Sequence, residues 1–390
     1  MKRMLPQILI CFMLLFSVSC VEKEDHIDYQ QASLIDITQA EKNLEVRLAS
    51  LFGESRFIPL MEIAEIDALA SIDKVIEHKN KFFVLDKKKS NILVFDQSGK
   101  FLNKVGIRGG GPKEYESIFD FDIDKKNDEI IILDAQIRLT IYNSKNDFVR
   151  KVDFKGFYPE SLSVLAPNVL ACSIGYIEPG QYAIKIVDTK TGTPTGYFGK
   201  YPDDYDDYKS FGLSGGMNKS ADKVYFTYKS SSVILSLDNE LNFTPVYRFN
   251  FGPKTWPEEQ KFDLPGFDAK TNARDVAYLT NKYYVDSNMI AFSFINESMY
   301  NLAYYFKDAD KTYIPQNKAD DLTLRFLEIP VGKSSTSEYI SGLQFERFEI
   351  YKELSDEFTG VLQNINPDLL PALDSLNYEN SDLLFFYNFN

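Results

Sequence analysis

Short apolar runs separated by polar turn clusters repeat along this chain with a nearly constant period. Phe82 to Val105 reads FFVLDKKKSNILVFDQSGKFLNKV, and Ile130 to Val152 reads IIILDAQIRLTIYNSKNDFVRKV. Asp86 aligns with Asp134 (134 − 86 = 48), Phe95 with Tyr142 (142 − 95 = 47) and Val105 with Val152 (152 − 105 = 47). Runs of this length, bounded by Lys, Asn, Asp, Ser and Gly, predict strands and hairpins rather than helices. In the first unit, strands are expected at Ile72 to Glu77, Phe82 to Leu85, Ile92 to Phe95 and Phe101 to Val105, with HKNK, KKKS and DQSG as turns. The second unit runs from Phe119 to Phe154 through FDFDI, EIIIL, LTIY and FVRKV. An all-β repeat of about 40–50 residues is the mark of a propeller blade.

Later units are fainter. Residues 161–199 hold LSVL, VLACSI, YAIKIVD and YFG; 217–251 hold VYFTY, VILSLD and VYRFNF; 283–314 hold YYVD, MIAFSF, LAYYF and TYI. A last unit holds LTLRFLEI, EYISGL and the terminal DLLFFYNF. The expected third-strand ends are Asp96, Asn143, Asp188 and Asp238, spaced 143 − 96 = 47, 188 − 143 = 45 and 238 − 188 = 50. Six units fit, with five or seven as alternatives. The expected fold is therefore all-β, a six-bladed β-propeller of four-stranded antiparallel blades over residues 51–390. The last unit is one strand short, and RFIPL (Arg56 to Leu60) stands alone before the first, so an N-terminal strand is expected to close the last blade. Two helical insertions are expected. One, at about 253–281, contains Trp256 and PEEQ; the other, at about 345–375, places Phe345, Phe348, Tyr351, Leu354, Phe358 and Leu362 at helical intervals.

The N-terminus changes the picture of where the protein works. Lys2 and Arg3, an apolar run from Ile8 to Val18 and small residues ending at Cys20 have the layout of a secretory signal peptide. LFSVSC resembles a bacterial lipobox, so residues 1–19 are expected to be a lipoprotein signal peptide, Cys20 the lipidated residue and 20–50 a polar tether. VEKED after Cys20 resembles an export signal of Gram-negative surface lipoproteins. The net charge is −14, and loss of Lys2 and Arg3 makes it −14 − 2 = −16, which argues against nucleic acid as a partner. Of 3 cysteines, Cys11 is expected to leave with the signal and Cys20 to be acylated, the alternative being an ordinary signal cleaved nearby with Cys20 incidental, so no disulfide framework is expected and Cys172 is left alone. Stability must come from the core, which 44% apolar residues supply, and the 31 Phe and 24 Tyr favour strands.

FIPL, KFFVLDKKKSNILVFDQSGKFLNKVGIRGGGPKEY, the following DFDID and the final ENSDLLFFYNFN resemble the NHL-repeat-like six-bladed β-propeller lipoproteins of Gram-negative bacteria. In that family the glycine-rich stretch reads close to G-R-G-P-x-E-Y; Arg108, Gly111, Pro112, Glu114 and Tyr115 carry it here, with Gly109 and Gly110 added. The resemblance implies a six-bladed fold and an envelope location, and no particular chemistry.

Several residues are candidates for binding. GIRGGGPKEY lacks the Lys-Ser/Thr of a phosphate loop and lies between strands, so it reads as a blade-to-blade crossover. In a propeller, crossovers share a face with the second-to-third strand turns. Arg108, Lys113 and Tyr115 are thereby expected near Lys87, Lys88 and Lys89, on the face that collects binding loops. The crossover GKYPDDYDDYKSFGLSGG reaches the same face with Tyr201, Asp203, Asp204, Tyr205, Asp206, Asp207 and Tyr208. That loop is either simply solvated, or its tyrosines stack on a sugar or peptide, or its carboxylates hold Ca²⁺. Asp120, Asp122 and Asp124 alternate along one strand and are the candidates for a Ca²⁺ site at the tunnel. With only His26 and His78 present, a His-rich zinc site is excluded. The expected function is a lipid-anchored, monomeric outer-membrane protein, periplasmic or surface-exposed, that binds an envelope protein or a glycan through the crossover face without catalysis. The alternative is a Ca²⁺-dependent lyase or lactonase-type hydrolase acting at the tunnel.

Overall fold

A computed structural model describes residues 21–22, 27–40, 47–61, 69–175, 177–205, 216–220, 223–376 and 382–390. The signal peptide, Cys20 and His26 lie outside the described residues. Among the described residues, six sheets follow one another along the chain, each built on four antiparallel strands. Sheet one comprises Lys74–His78, Lys81–Asp86, Asn91–Asp96 and Phe101–Lys104. Sheet two comprises Ile118–Asp124, Glu129–Asp134, Arg138–Asn143 and Phe148–Asp153. Sheet three comprises Pro159–Ala166, Val169–Ile174, Tyr182–Asp188 and Pro194–Lys200. Sheet four comprises Gly216–Ser220, Lys223–Thr227, Val233–Leu237 and Phe243–Asn250. Sheet five comprises Ala277–Val285, Met289–Asn296, Met299–Phe306 and Lys311–Tyr313. Sheet six comprises Gly332–Lys333, Tyr339–Gln344 and Asp382–Phe389, and its fourth strand is the N-terminal Phe52–Pro59, paired antiparallel to Asp382–Phe389. The protein is thus all-β, with mostly four-stranded antiparallel sheets and few helices.

The period has a local cause. At the end of the third strand of sheets one to four an Asp or Asn turns the chain by accepting backbone N–H groups ahead of it. Asp96 accepts from Ser98 (2.8 Å) and Lys100 (3.1 Å), Asn143 from Lys145 and Asp147 (both 2.9 Å), and Asp238 from Glu240 (3.0 Å) and Asn242 (2.9 Å). Asp188 does the same for Lys190 (3.0 Å) and Thr191 (2.9 Å). Apolar side chains between these turns pack sheet on sheet. Phe83 and Val94 meet Ile123 and Ile130 between sheets one and two, and Leu139 meets Leu162 and Leu170 between two and three. Phe198 packs with Val224 and Phe226, Phe249 with Phe292, and Tyr304 with Tyr339 and Phe385. Phe82 and Val84 pack with Leu384 and Phe386, so sheet six lies against sheet one.

Three expectations about elements need correction. LTLRFLEI is not a strand: Lys318–Leu327 is a helix, with Asn317 accepting the Asp320 N–H (2.8 Å) as its N-cap. Its alternating Leu-Thr-Leu-Arg-Phe fits either period, and Ala319, Leu322, Thr323 and Phe326 supply the buried helical stripe. The helical stretch beginning at Phe345 is two helices, Phe345–Leu354 and Asp356–Ile365, broken where Ser355 is extended, with a third at Leu369–Asp374. The other insertion holds the helix Leu264–Asn272. Finally, the polar tether does not hang free. Val21–Glu22 adds a parallel strand to the outer edge of sheet three, and Ser33–Asp36 one to sheet four. Buried Leu48 donates its N–H to Asp320 Oδ2 (3.2 Å).

Candidate ligand-binding cleft

A sheet's first strand leaves one edge of N–H and C=O groups unpaired, and here the neighbouring sheet serves that edge. Asp120 Oδ2 accepts the Leu162 N–H (3.0 Å), Asp122 Oδ2 the Val164 N–H (2.7 Å) and Asp124 Oδ2 the Asn168 N–H (2.9 Å). Lys74 donates to Asp120 Oδ1 (2.9 Å) and to the Phe121 carbonyl (2.8 Å), and Lys219 to Asp122 Oδ2 (3.0 Å). Tyr283 donates its hydroxyl to the Gly216 carbonyl (2.7 Å), and the Val75 N–H reaches the Val331 carbonyl (2.9 Å). Lys333 pairs with Asp286. Burial opposes the charge on Asp122, but the ammoniums of Lys219 and Lys74 and the Val164 N–H outweigh it, and its carboxyl is held below the usual range. Burial likewise opposes the charge on Lys74, and Asp120 and Asp122 overcome it and raise its pKa.

This arrangement corrects the Ca²⁺ expectation at Asp120, Asp122 and Asp124. The remaining oxygens also accept N–H groups: Asp120 Oδ1 that of Phe121 (2.8 Å), Asp122 Oδ1 that of Ile123 (2.7 Å), and Asp124 Oδ1 those of Lys126 (3.1 Å) and Asn127 (3.0 Å). A cation needs lone pairs that face it, whereas these six oxygens face donors. The three aspartates join sheets.

The expected crossover residues divide differently from the reading of the sequence. Arg108 is exposed, but its guanidinium pins the crossover by donating to the Glu116 carbonyl (3.0 Å) and the Lys89 carbonyl (3.4 Å). Lys113 is exposed and gives its carbonyl to the Tyr142 hydroxyl. Tyr115 is a core residue whose hydroxyl burial pushes well above its ordinary pKa. Tyr201 and Tyr205 are also core, 3% and 4% exposed. Their rings lie 4.6 Å apart and pack on Phe262 at 5.3 and 5.8 Å, so they offer no stacking surface. Asp203 and Asp204 face solvent. Asp206, Asp207 and Tyr208 lie outside the described residues.

A cleft of about 530 Å³, open to solvent, is lined by Lys87, Ser117, Phe119, Tyr158, Glu160 and Gly175 among others. Lys87 comes from the second-to-third strand turn of sheet one, Ser117 from the crossover into sheet two and Phe119 from that sheet's first strand, Tyr158 from the crossover into sheet three and Glu160 from its first strand. Two of these residues were invisible as site residues because each is turned out by a β-bulge. Pairing jumps from Ile118–Asp134 to Asp120–Leu133, leaving Phe119 as the extra residue, and from Pro159–Ile174 to Ser161–Ser173, leaving Glu160. Phe119, which alternation assigns to the core with Phe121, is 42% exposed where Phe121 is 0%. Tyr158 is 59% exposed. Gly175 keeps room beside Glu160, because a Cβ there would lie 3.1 Å from the Glu160 Cβ.

Repeated antiparallel sheets define an all-β protein with a cleft between neighbouring sheets. The chain belongs to a family described as a domain of unknown function, DUF4934, matched over residues 32–386. Its fold is similar to that of a Bacteroides fragilis NCTC 9343 protein inferred to be exported, with a TM-score of 0.72 at 17% identity, covering 92% of this chain and 100% of that one. A member of the DUF4221 family from Bacteroides vulgatus ATCC 8482 is similar with a TM-score of 0.52 at 10% identity, covering 87% of this chain and 98% of that one. No curated protein matches the chain.

Proposed function

We propose that this chain is an exported, lipid-anchored outer-membrane protein whose six sheets are the blades of an NHL-repeat-like propeller, and that it binds a protein partner or glycan without catalysis. The propeller reading is supported by the packing of each sheet on the next and of sheet six on sheet one. Export is supported by the layout of residues 1–20 and by the description of the Bacteroides fragilis protein, and the Cys20 anchor by the LFSVSC stretch alone.

One observation carries the binding role: the cleft with Phe119 and Tyr158 exposed in it. Several polar groups outside the cleft that could serve chemistry are committed to the fold. The inner carboxylates serve strand edges. Cys172 is buried, which pushes its thiol well above the usual range and keeps it protonated. His78 is tied to Asp128 (3.0 Å) in hairpin turns away from the cleft.

The test is retention of the protein on immobilised envelope material, proteins and polysaccharides together. Phe119→Ala with Tyr158→Ala should abolish retention, whereas Met299→Ala, an exposed apolar change on a sheet-five hairpin, should leave it intact. Equal retention of all three proteins would remove the cleft from the function.

A further inference from the structure

The cleft's chemistry narrows its ligand. Building on the binding role proposed above, we infer that it takes a neutral carbohydrate chain, with sugar rings lying on the faces of Phe119 and Tyr158. Two aromatic rings held open to water in one small cleft keep apolar surface hydrated, and a flat C–H face laid on them removes that surface from water. Around the rings stand groups of both signs and neither: the Glu160 carboxylate accepts hydrogen bonds, the Lys87 ammonium donates them, and the Ser117 hydroxyl does both. Sugar hydroxyls use all three. A polyanion would meet Glu160 on a protein of net charge −14, and a polycation would meet Lys87.

An extended peptide cannot dock here by strand addition. Strand addition requires an open edge, and the inner edge of sheet three beside the cleft is already taken by Asp120 and Asp122 through Leu162 and Val164. The volume of about 530 Å³ falls within the usual range of small-ligand sites, roughly 300–1,000 Å³. The paired bulges also suit a site of fixed geometry. They occur at the same position in two neighbouring sheets, and each aims one side chain, an aromatic ring from sheet two and a carboxylate from sheet three, into the same space.

Affinity electrophoresis through gels carrying one soluble neutral polysaccharide each (a glucan, a mannan, a galactan or a xylan), beside a polyuronate and a polylysine gel, tests this. Retardation by at least one neutral polymer is expected, with a loss of roughly tenfold or more in Phe119→Ala or Tyr158→Ala, and none in Met299→Ala. Both aromatic positions are exposed, so unchanged melting curves will show that the variants fold. Retardation by no neutral polymer, by the charged polymers alone, or equally in the variants overturns the carbohydrate assignment. A benzophenone crosslinker in place of the Tyr158 side chain separates that failure from failure of the binding role. Capture of one envelope protein, abolished by Phe119→Ala, leaves a binding face and excludes the sugar. Capture of nothing, with no retardation, removes both.

Discussion

Asp122, on the first strand of sheet two, accepts the Val164 backbone N–H on the first strand of sheet three at 2.7 Å. The same oxygen takes the Lys219 ammonium of sheet four at 3.0 Å, so a single carboxylate joins three sheets. Such a position costs the protein twice when it is lost, once as an unpaired strand-edge N–H and once as an uncompensated lysine. Asp122→Ala should lower the unfolding free energy by about 2–3 kcal/mol, with Lys219 partly hydrated and so softening the loss. Urea denaturation measures it, and a change under about 0.5 kcal/mol would show that water serves the edge equally well.

The pairing of His78, Lys79 and Ser144 on Asp128 predicts an acid-sensitive tie between sheets one and two. Burial pushes this carboxyl up, but hydrogen bonds from Lys79, Ser144 and His78 outweigh it and bring the pKa down to about 2. A depressed folded-state pKa gives stability that is complete above the unfolded value, near 4, and is lost as pH falls towards 2. Solvent screening at this half-exposed site limits it to about 1 kcal/mol. Between pH 5 and pH 2, Asp128→Asn should therefore lose less melting temperature than the native chain. Parallel acid curves would contradict this.

The sequence announced the hairpins because their turns are local. Asp96, Asn143, Asp188 and Asp238 recur since each must accept N–H groups within a few residues of itself, and such a rule leaves a period in the chain. The clasp could be read for a similar reason: an orphan strand at one end and a missing strand at the other are a matter of counting. Phe119 was hidden because a bulge is a relation between two strands. A one-residue slip turns a side chain from the core to solvent while leaving its own strand's alternation intact. Tyr201 and Tyr205 misled for the converse reason. Their loop is full of aspartates, yet the rings fold back onto Phe262, more than fifty positions away, which no local pattern records. The helix Lys318–Leu327 was missed because Leu-Thr-Leu-Arg-Phe satisfies both periods, and only the cap at Asn317 decides between them.

Closure of sheet six by the N-terminal strand predicts that Arg56 holds more than its exposure suggests. Its guanidinium makes two bonds to Glu338 (2.8 and 2.7 Å) and lies 3.9 Å from the Phe386 ring centre. Arg56→Ala should cost about 1–2 kcal/mol, and Arg56→Lys should recover only part of it, since an ammonium cannot match the two-point contact. Deleting residues 54–60 goes further. It removes the pairing partner of Asp382–Phe389, and a sharply lower melting temperature is expected. An unchanged melt would mean that sheet six does not depend on its borrowed strand.

The two parallel strands of the N-terminal segment set up a different outcome. Val21–Glu22 and Ser33–Asp36 sit on the outer edges of sheets three and four, which are four-stranded and complete without them. Removing residues 21–36 should therefore leave the sheets folded while opening two edges, and open edges recruit other strands. The core also loses Ile35, 1% exposed, and Lys261 loses the Tyr29 ring, 4.4 Å from its ammonium, so a fall in melting temperature is also expected. Analytical ultracentrifugation across a range of concentrations should show association in the shortened chain and less in the full one. If both remain monomeric to the same concentration, the outer edges are protected by their own side chains, and the segment serves only as a strap.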